Sequence, residues 1–166
     1  MQIPKRKSER QSQQDSDPYI TPQKADELQN ELDRIIKFIR PKLIKEVEEH
    51  AKLGDFSENA AYQIAKGRLR GINHRLLVLH ELINNAVIID EHGSKDRVRI
   101  GSTVIIESAG SKKTYQILGS QETDPQKGII SHLSPIGEAL LGKKVNDEVE
   151  MDINGQKIKY KILKII

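Results

Sequence analysis

The sequence contains no cysteine and no tryptophan among its 166 residues. The first absence excludes disulfide frameworks, thiol nucleophiles and cysteine-ligated zinc together, and it suits a reducing cytosol. The second, with aromatics at only 4% of the chain, leaves too few rings for a base-stacking platform or an aromatic-lined small-molecule pocket. Long apolar runs are missing as well. Met1 to Pro18 carries basic residues with no apolar core behind them, and no later run approaches the length that spans a bilayer. A soluble, unexported, cytoplasmic protein is expected. Charge of one sign is also scarce, because the formal net charge of +3 is too small to mark a nucleic-acid binder by itself. The placement of charge therefore carries more information than its sum.

What is present divides into three textures, and the length allows two small domains, each closing a modest core. Residues 1–18 are polar, Gln/Ser-rich and free of apolar periodicity, the pattern of a disordered tail. Its Lys5, Arg6, Lys7 and Arg10 could touch phosphate or simply solvate the segment. Order is expected from Tyr19, with Thr21 capping a helix whose first position is Pro22. Leu28, Leu32, Ile35, Ile39, Leu43, Val47 and Ala51 then recur every three or four residues as one stripe. The stripe passes through Pro41, where a missing N–H predicts a kink or a local break near Arg40-Pro41. Gly54 interrupts the pattern. A second stripe follows, through Ala61, Ala65, Leu69, Ile72, Leu76, Leu79, Ile83 and Ala86. Two narrow seams joined by a short turn can be buried only against each other, so residues 19–90 are expected to form an antiparallel coiled-coil hairpin. At about 1.5 Å per residue and roughly thirty residues per arm, it would be on the order of 45 Å long.

From residue 91 to the end the texture changes to short β-branched runs of period two, separated by Gly, Ser, Asn and Asp. Strands are predicted over Val98–Glu107, Lys113–Leu118, Gly128–Ser131, Glu148–Ile153 and Gln156–Leu163. Asn154-Gly155 marks a hairpin between the last two. Ser134 and Pro135 start a short helix through Leu141. The fold class is therefore α+β, a helical hairpin followed by a small mixed sheet with one short helix.

No self-contained catalytic constellation is visible. His50, His74, His80, His92 and His132 lack the spacing and the neighbours of a metal site, and no glycine loop cradles a phosphate. The concentrated chemistry is at the hairpin turn, where Asp55 and Glu58 stand three residues apart. That spacing fits a capping box, with Asp55 accepting backbone N–H groups and Glu58 reaching back. It equally fits a pair of metal ligands at a protruding end, with Glu46, Glu48 and Glu49 adding negative charge nearby. Two carboxylates leave most of an octahedral magnesium shell to be filled from elsewhere. A partner already holding one such ion could be completed to a two-metal clamp that activates water for phosphodiester hydrolysis. The second arm is polarised the other way: Asn59 to His80 contains Lys66, Arg68, Arg70 and Arg75 and no acid. Arg68 and Arg75, two turns apart, could brace a phosphate backbone or could be solvated helix charges.

At these residues the sequence resembles the Gre family of bacterial transcript-cleavage factors. The likeness runs from about Tyr19 to the end. It is carried by Tyr19-Ile20-Thr21-Pro22, Arg40-Pro41, and Gly54-Asp55-Phe56-Ser57-Glu58-Asn59-Ala60-Ala61-Tyr62. Farther on it continues in Ala86-Val87-Ile88-Ile89-Asp90, Ile100-Gly101-Ser102-Thr103-Val104 and Ser134-Pro135-Ile136-Gly137-Glu138-Ala139-Leu140-Leu141-Gly142-Lys143. The resemblance implies a monomer whose finger enters the secondary channel of RNA polymerase, with a C-terminal domain of FKBP-like fold on the channel rim. Catalysis then belongs to the polymerase. The family's tip acids match Asp55 and Glu58, which would share a Mg2+ with the polymerase and bind none alone. Asn59 and Tyr62 match supporting tip positions. Arg68, Arg70 and Arg75 are the candidates for contact with the nascent RNA 3′ end, and Ser134, Pro135 and Ile136 for contact with the polymerase.

The stretch before Tyr19 lies outside the family core, Gly67 and Gly71 weaken the second arm, and the GreA or GreB subtype is left open. Two rival functions are weighed. A channel-binding regulator without cleavage would share the finger but alter the acids, and both acids are present. A peptidyl-prolyl isomerase would need an aromatic-lined pocket, whereas the C-terminal domain has only Tyr115 and Tyr160, and a fold alone does not establish an activity.

Overall fold

The computed structural model describes residues 17–52, 59–90, 95–108, 110–153 and 156–166; the side chains of residues 152, 153, 156 and 157 are also outside the description. The chain divides into two compact units, Ile20–Ile88 and a globular unit formed by Ile89–Ile166 with the chain up to Tyr19. The acids Asp55 and Glu58 lie outside the described residues.

β1 (Tyr19–Ile20) and β2 (Val87–Ile88) form a two-stranded sheet. Between them run α1 (Pro22–Arg34), α2 (Arg40–Lys52) and α3 (Ala60–Asn84). Thr21 caps α1 by accepting the Lys24 N–H, and Pro22 fills the first turn, where its missing N–H costs nothing. The stripe is used as its spacing predicts: Leu28, Leu32 and Ile35 are buried with Leu79 of α3 and Ile20. At Pro41 the interruption takes the form of a π-turn over Ile35–Ile39. The Arg40 N–H bonds back five residues to the Ile35 carbonyl. The widened turn relieves the clash a proline ring makes with the preceding turn, and the helix continues. No residue of α2 is fully buried.

The globular unit is a five-stranded sheet in the order β5-β4-β3-β7-β6. Its strands are β3 (Thr103–Ser108), β4 (Ser111–Leu118), β5 (Ile129–Ser131), β6 (Glu148–Ile153) and β7 (Gln156–Ile165), and α4 (Pro135–Leu140) packs beside β5 and β6. β5 runs parallel to β4, and the other pairs are antiparallel. Alternation sorts the faces. Val104, Ile106, Val149, Met151, Tyr160 and Ile162 enter one core with Ile117 and Leu140. On the other face the register sets Glu148 opposite Lys161 and Glu150 opposite Lys159. Glu107 stands opposite both Lys112 and Lys161. Each facing pair of opposite charge favours this register, and a slip of one residue would also turn the apolar set outward.

The strand expected from Val98 begins only at Thr103, because a turn at Ile100-Gly101 uses Gly101 at φ 98°, a left-handed conformation that glycine adopts without a Cβ clash. β7 runs two residues past the expected end, to Ile165. Asp17, expected to belong to the polar tail, is instead buried; the rest of that stretch, residues 1–16, lies outside the described residues.

Candidate functional site at the hairpin end

The two arms are tied by a ladder of polar links that runs in opposite directions along them. Near the base, Arg75 grips Glu31 with two bonds, Nε to Oε1 at 2.8 Å and Nη2 to Oε2 at 2.6 Å. Next, Arg40 Nε donates to Asn73 Oδ1 at 3.0 Å, and Arg68 Nη1 to Glu46 Oε1 at 3.1 Å. The last link is Asn59. Its Oδ1 accepts the Tyr62 N–H at 3.0 Å, capping α3, while its Nδ2 donates to the His50 carbonyl at 3.2 Å. One amide thereby satisfies an orphan donor at the start of α3 and a carbonyl in the last turns of α2.

This bears on the two readings of the acid pair. Among the described residues, the side chain that caps α3 is Asn59. Asp55 and Glu58 belong to the connection of residues 53–58 between α2 and α3, and their geometry is outside the described residues. Tyr62 is half-buried one turn into α3, with Lys66 Nζ 5.7 Å from its ring centroid, a cation–π contact that holds one of the arm's cations beside the connection.

The candidate RNA-contacting arginines divide. Arg75 is committed to Glu31: the Arg75 hydrogen bond holds the Glu31 carboxyl below the usual carboxylate range, and Glu31 in turn raises Arg75. Arg68 is paired with Glu46. Arg70 is exposed and makes no ion pair among the described residues. On the globular unit, Ser134 caps α4, accepting from the Gly137 N–H at 3.1 Å and donating to the Ser131 carbonyl at 2.6 Å. Pro135 is exposed, and Ile136 packs against the core. Among the described residues no three metal-binding side chains gather. A cavity of about 380 Å³ in the globular unit is lined by Ile106, Ser108, Ser111, Lys113, Ile158 and Tyr160. With one aromatic in its wall, it lacks the ring-lined pocket that a prolyl isomerase requires.

Sequence reasoning missed the double role of Asn59 and the burial of Asp17. The first had a signal, an Asn immediately before a helical run, which the Asp55/Glu58 spacing overshadowed.

Comparison with known proteins gives two family matches that together span nearly all of the chain. Residues 18–88 match the family described as transcription elongation factor, N-terminal, and residues 93–166 that described as transcription elongation factor, GreA/GreB, C-term. Transcription elongation factor GreA of Mesomycoplasma hyopneumoniae is 40% identical over 149 residues, 89% of this chain and 92% of that protein. GreA of Mycoplasma mycoides subsp. mycoides is 41% identical over 80% of this chain and 87% of that protein. A solved structure, GreA factor homolog 1 of Thermus thermophilus, matches at 25% identity over 86% of this chain and 94% of that one, with a TM-score of 0.39. The two family matches, over residues 18–88 and 93–166, and the relatives at about two-fifths identity agree: this chain belongs to the GreA/GreB family of transcription elongation factors.

Proposed function

We propose that the chain is an accessory factor that inserts its hairpin into the secondary channel of RNA polymerase and stimulates cleavage of backtracked nascent RNA, rescuing arrested complexes. Family membership supports the partner. The observation that supports the site is the Asn59 clamp, which ties the start of α3 to the His50 carbonyl in the last turns of α2, the two helices that the Asp55–Glu58 segment connects.

Asp55 and Glu58 would hold a Mg2+ shared with the polymerase, which must supply the rest of an octahedral shell. Once bound, that ion supplies activation of water for phosphodiester hydrolysis. The chain's own groups place negative charge at the far end of the hairpin and leave Arg70 open toward the RNA phosphates. Asn59 and Tyr62 act as positioning residues. The active centre remains the polymerase's.

The test is addition of the protein to stalled, backtracked polymerase with Mg2+, with the RNA followed from a 5′ label. Shortening from the 3′ end is the expected result. Binding with unchanged RNA length would instead support a regulator that occupies the channel without promoting cleavage.

A further inference from the structure

The inner face of the five-stranded sheet carries a charge where its pattern calls for none. Cross-strand partners share a face. The register sets Lys113 opposite Ile106 and Ser111 opposite Ser108, and Ile106 is opposite Ile162 on its other side. Val104, Ile106, Ile117, Tyr160 and Ile162 of this face enter the core. Lys113 is thus in line with core positions, and among the described residues it is the one charged side chain that β3, β4 and β7 place there. A charge at an apolar register position breaks the pattern that folds a sheet, and such breaks gather at functional sites.

Lys113, Ser108 and Ser111 line the same cavity of about 380 Å³ as Ile106, Ile158 and Tyr160. Ile106 is 1% exposed and Tyr160 6%, so these two form the floor. Lys113 and Ser111 are exposed and stand at the mouth. Glu107, between Ile106 and Ser108, is on the opposite face, across from Lys112 and Lys161. Among the described residues no ion pair or side-chain hydrogen bond engages Lys113, Ser108 or Ser111.

The lining chemistry selects an occupant. An ammonium group has only donors to offer, and two hydroxyls add two more, so the head that meets them is an anion. One lysine balances a single charge, which suits a carboxylate better than a phosphate monoester carrying nearly two. The walls are two isoleucines and one ring, which suit an aliphatic chain. At roughly 30 Å³ per non-hydrogen atom, the share of one water in the liquid, the cavity holds on the order of a dozen atoms. That is the small end of ligand pockets.

We propose that this cavity binds a small aliphatic monocarboxylate with a chain of about eight carbons, its carboxylate held by Lys113 with the Ser108 and Ser111 hydroxyls and its tail on Ile106, Ile158 and Tyr160. The site does not depend on the function proposed above.

The test is titration of the full chain with octanoate, followed by amide chemical shifts, with octanol as a probe that has the same tail and no charge. Octanoate should shift the amides of Ile106, Lys113, Ile158 and Tyr160 saturably, with a Kd at or below about 1 mM, and leave Leu79 in place. Octanol should bind about tenfold more weakly. Lys113→Met keeps an unbranched stem at this exposed position and removes the charge; it should weaken octanoate about tenfold and leave octanol unchanged. Acetate, which lacks the tail, should give no saturable shift. Absence of saturable octanoate shifts at these four amides overturns the site. So does non-saturating movement at the exposed Phe38 and Leu133 as well, the mark of general adsorption to apolar surface. Equal binding of octanoate and octanol, or undiminished octanoate binding by Lys113→Met, overturns the carboxylate and the role of the lysine.

Discussion

The two ends of the helical hairpin are built on different principles. At the base, Leu28, Leu32, Ile35 and Leu79 are buried together with Ile20. Toward the turn, α2 buries nothing fully and α3 contributes only Ala65 before Leu79. There the arms are joined by side-chain links instead, Arg40 to Asn73, Glu46 to Arg68 and Asn59 to the His50 carbonyl. Each such link is worth little beside a buried leucine. Stability is therefore concentrated at the base, and the far end is kept in geometry by hydrogen bonds that water can contest. That division would suit the insertion proposed above.

The contrast can be broken or sharpened by substitution. The largest effect is expected at the base: Leu79→Ala, at a side chain with 0% exposure, should cost about 3 kcal/mol in denaturant unfolding. Leu43→Ala, half-buried on α2, should cost about 1 kcal/mol. Equal costs would erase the distinction between the two ends. Next come Gly67 and Gly71, where an added Cβ would meet nothing within 4 Å. Neither needs glycine's space, so Gly67→Ala with Gly71→Ala should stabilise the arm by roughly 1–2 kcal/mol in total. A higher melting temperature with slower cleavage would show that the arm's looseness is used. Asn59→Ala should cost about 1 kcal/mol, with faster amide exchange at Tyr62 and little change around Leu79.

The smallest effect is at Glu31. Its pair with Arg75 is about two-fifths exposed on both sides, so solvent screening limits Glu31→Gln to about 0.5 kcal/mol at neutral pH. Because Arg75 lowers the Glu31 pKa from its ordinary 4.5, the contribution is complete above that value. It is lost as pH falls through the lower folded value. The stability gap between wild type and Glu31→Gln should close in acid; a gap that persists there would mean the pair acts through packing and not charge.

How much of this was legible depends on the range of the interactions. Periodicity located both arms and every strand of the larger sheet, and β6 keeps its expected bounds, Glu148–Ile153. The sheet's alternation is local information. Proline chemistry announced a disturbance at Pro41 but not that a π-turn upstream would absorb it. β1 and β2 are two residues each, too short for any period to register. The burial of Asp17 had no signature at all, because Asp17 and its partner Ser120 stand 103 residues apart in sequence and a lone Asp in a polar stretch reads as solvated. At the hairpin end, the residue types drew attention to Asp55 and Glu58, while the cap at Asn59 became apparent only once the start of α3 was placed.

The central claim is that Asp55 and Glu58 are lent to a catalytic metal held by the polymerase. The direct measurement is cleavage of backtracked RNA by the Asp55→Ala, Glu58→Ala double variant at saturating Mg2+, alongside its binding to the same complexes. Lost cleavage with binding within about twofold of wild type is the predicted result, since interactions made only at the reacting centre leave ground-state affinity nearly untouched. Cleavage at the wild-type rate by the double variant would contradict it.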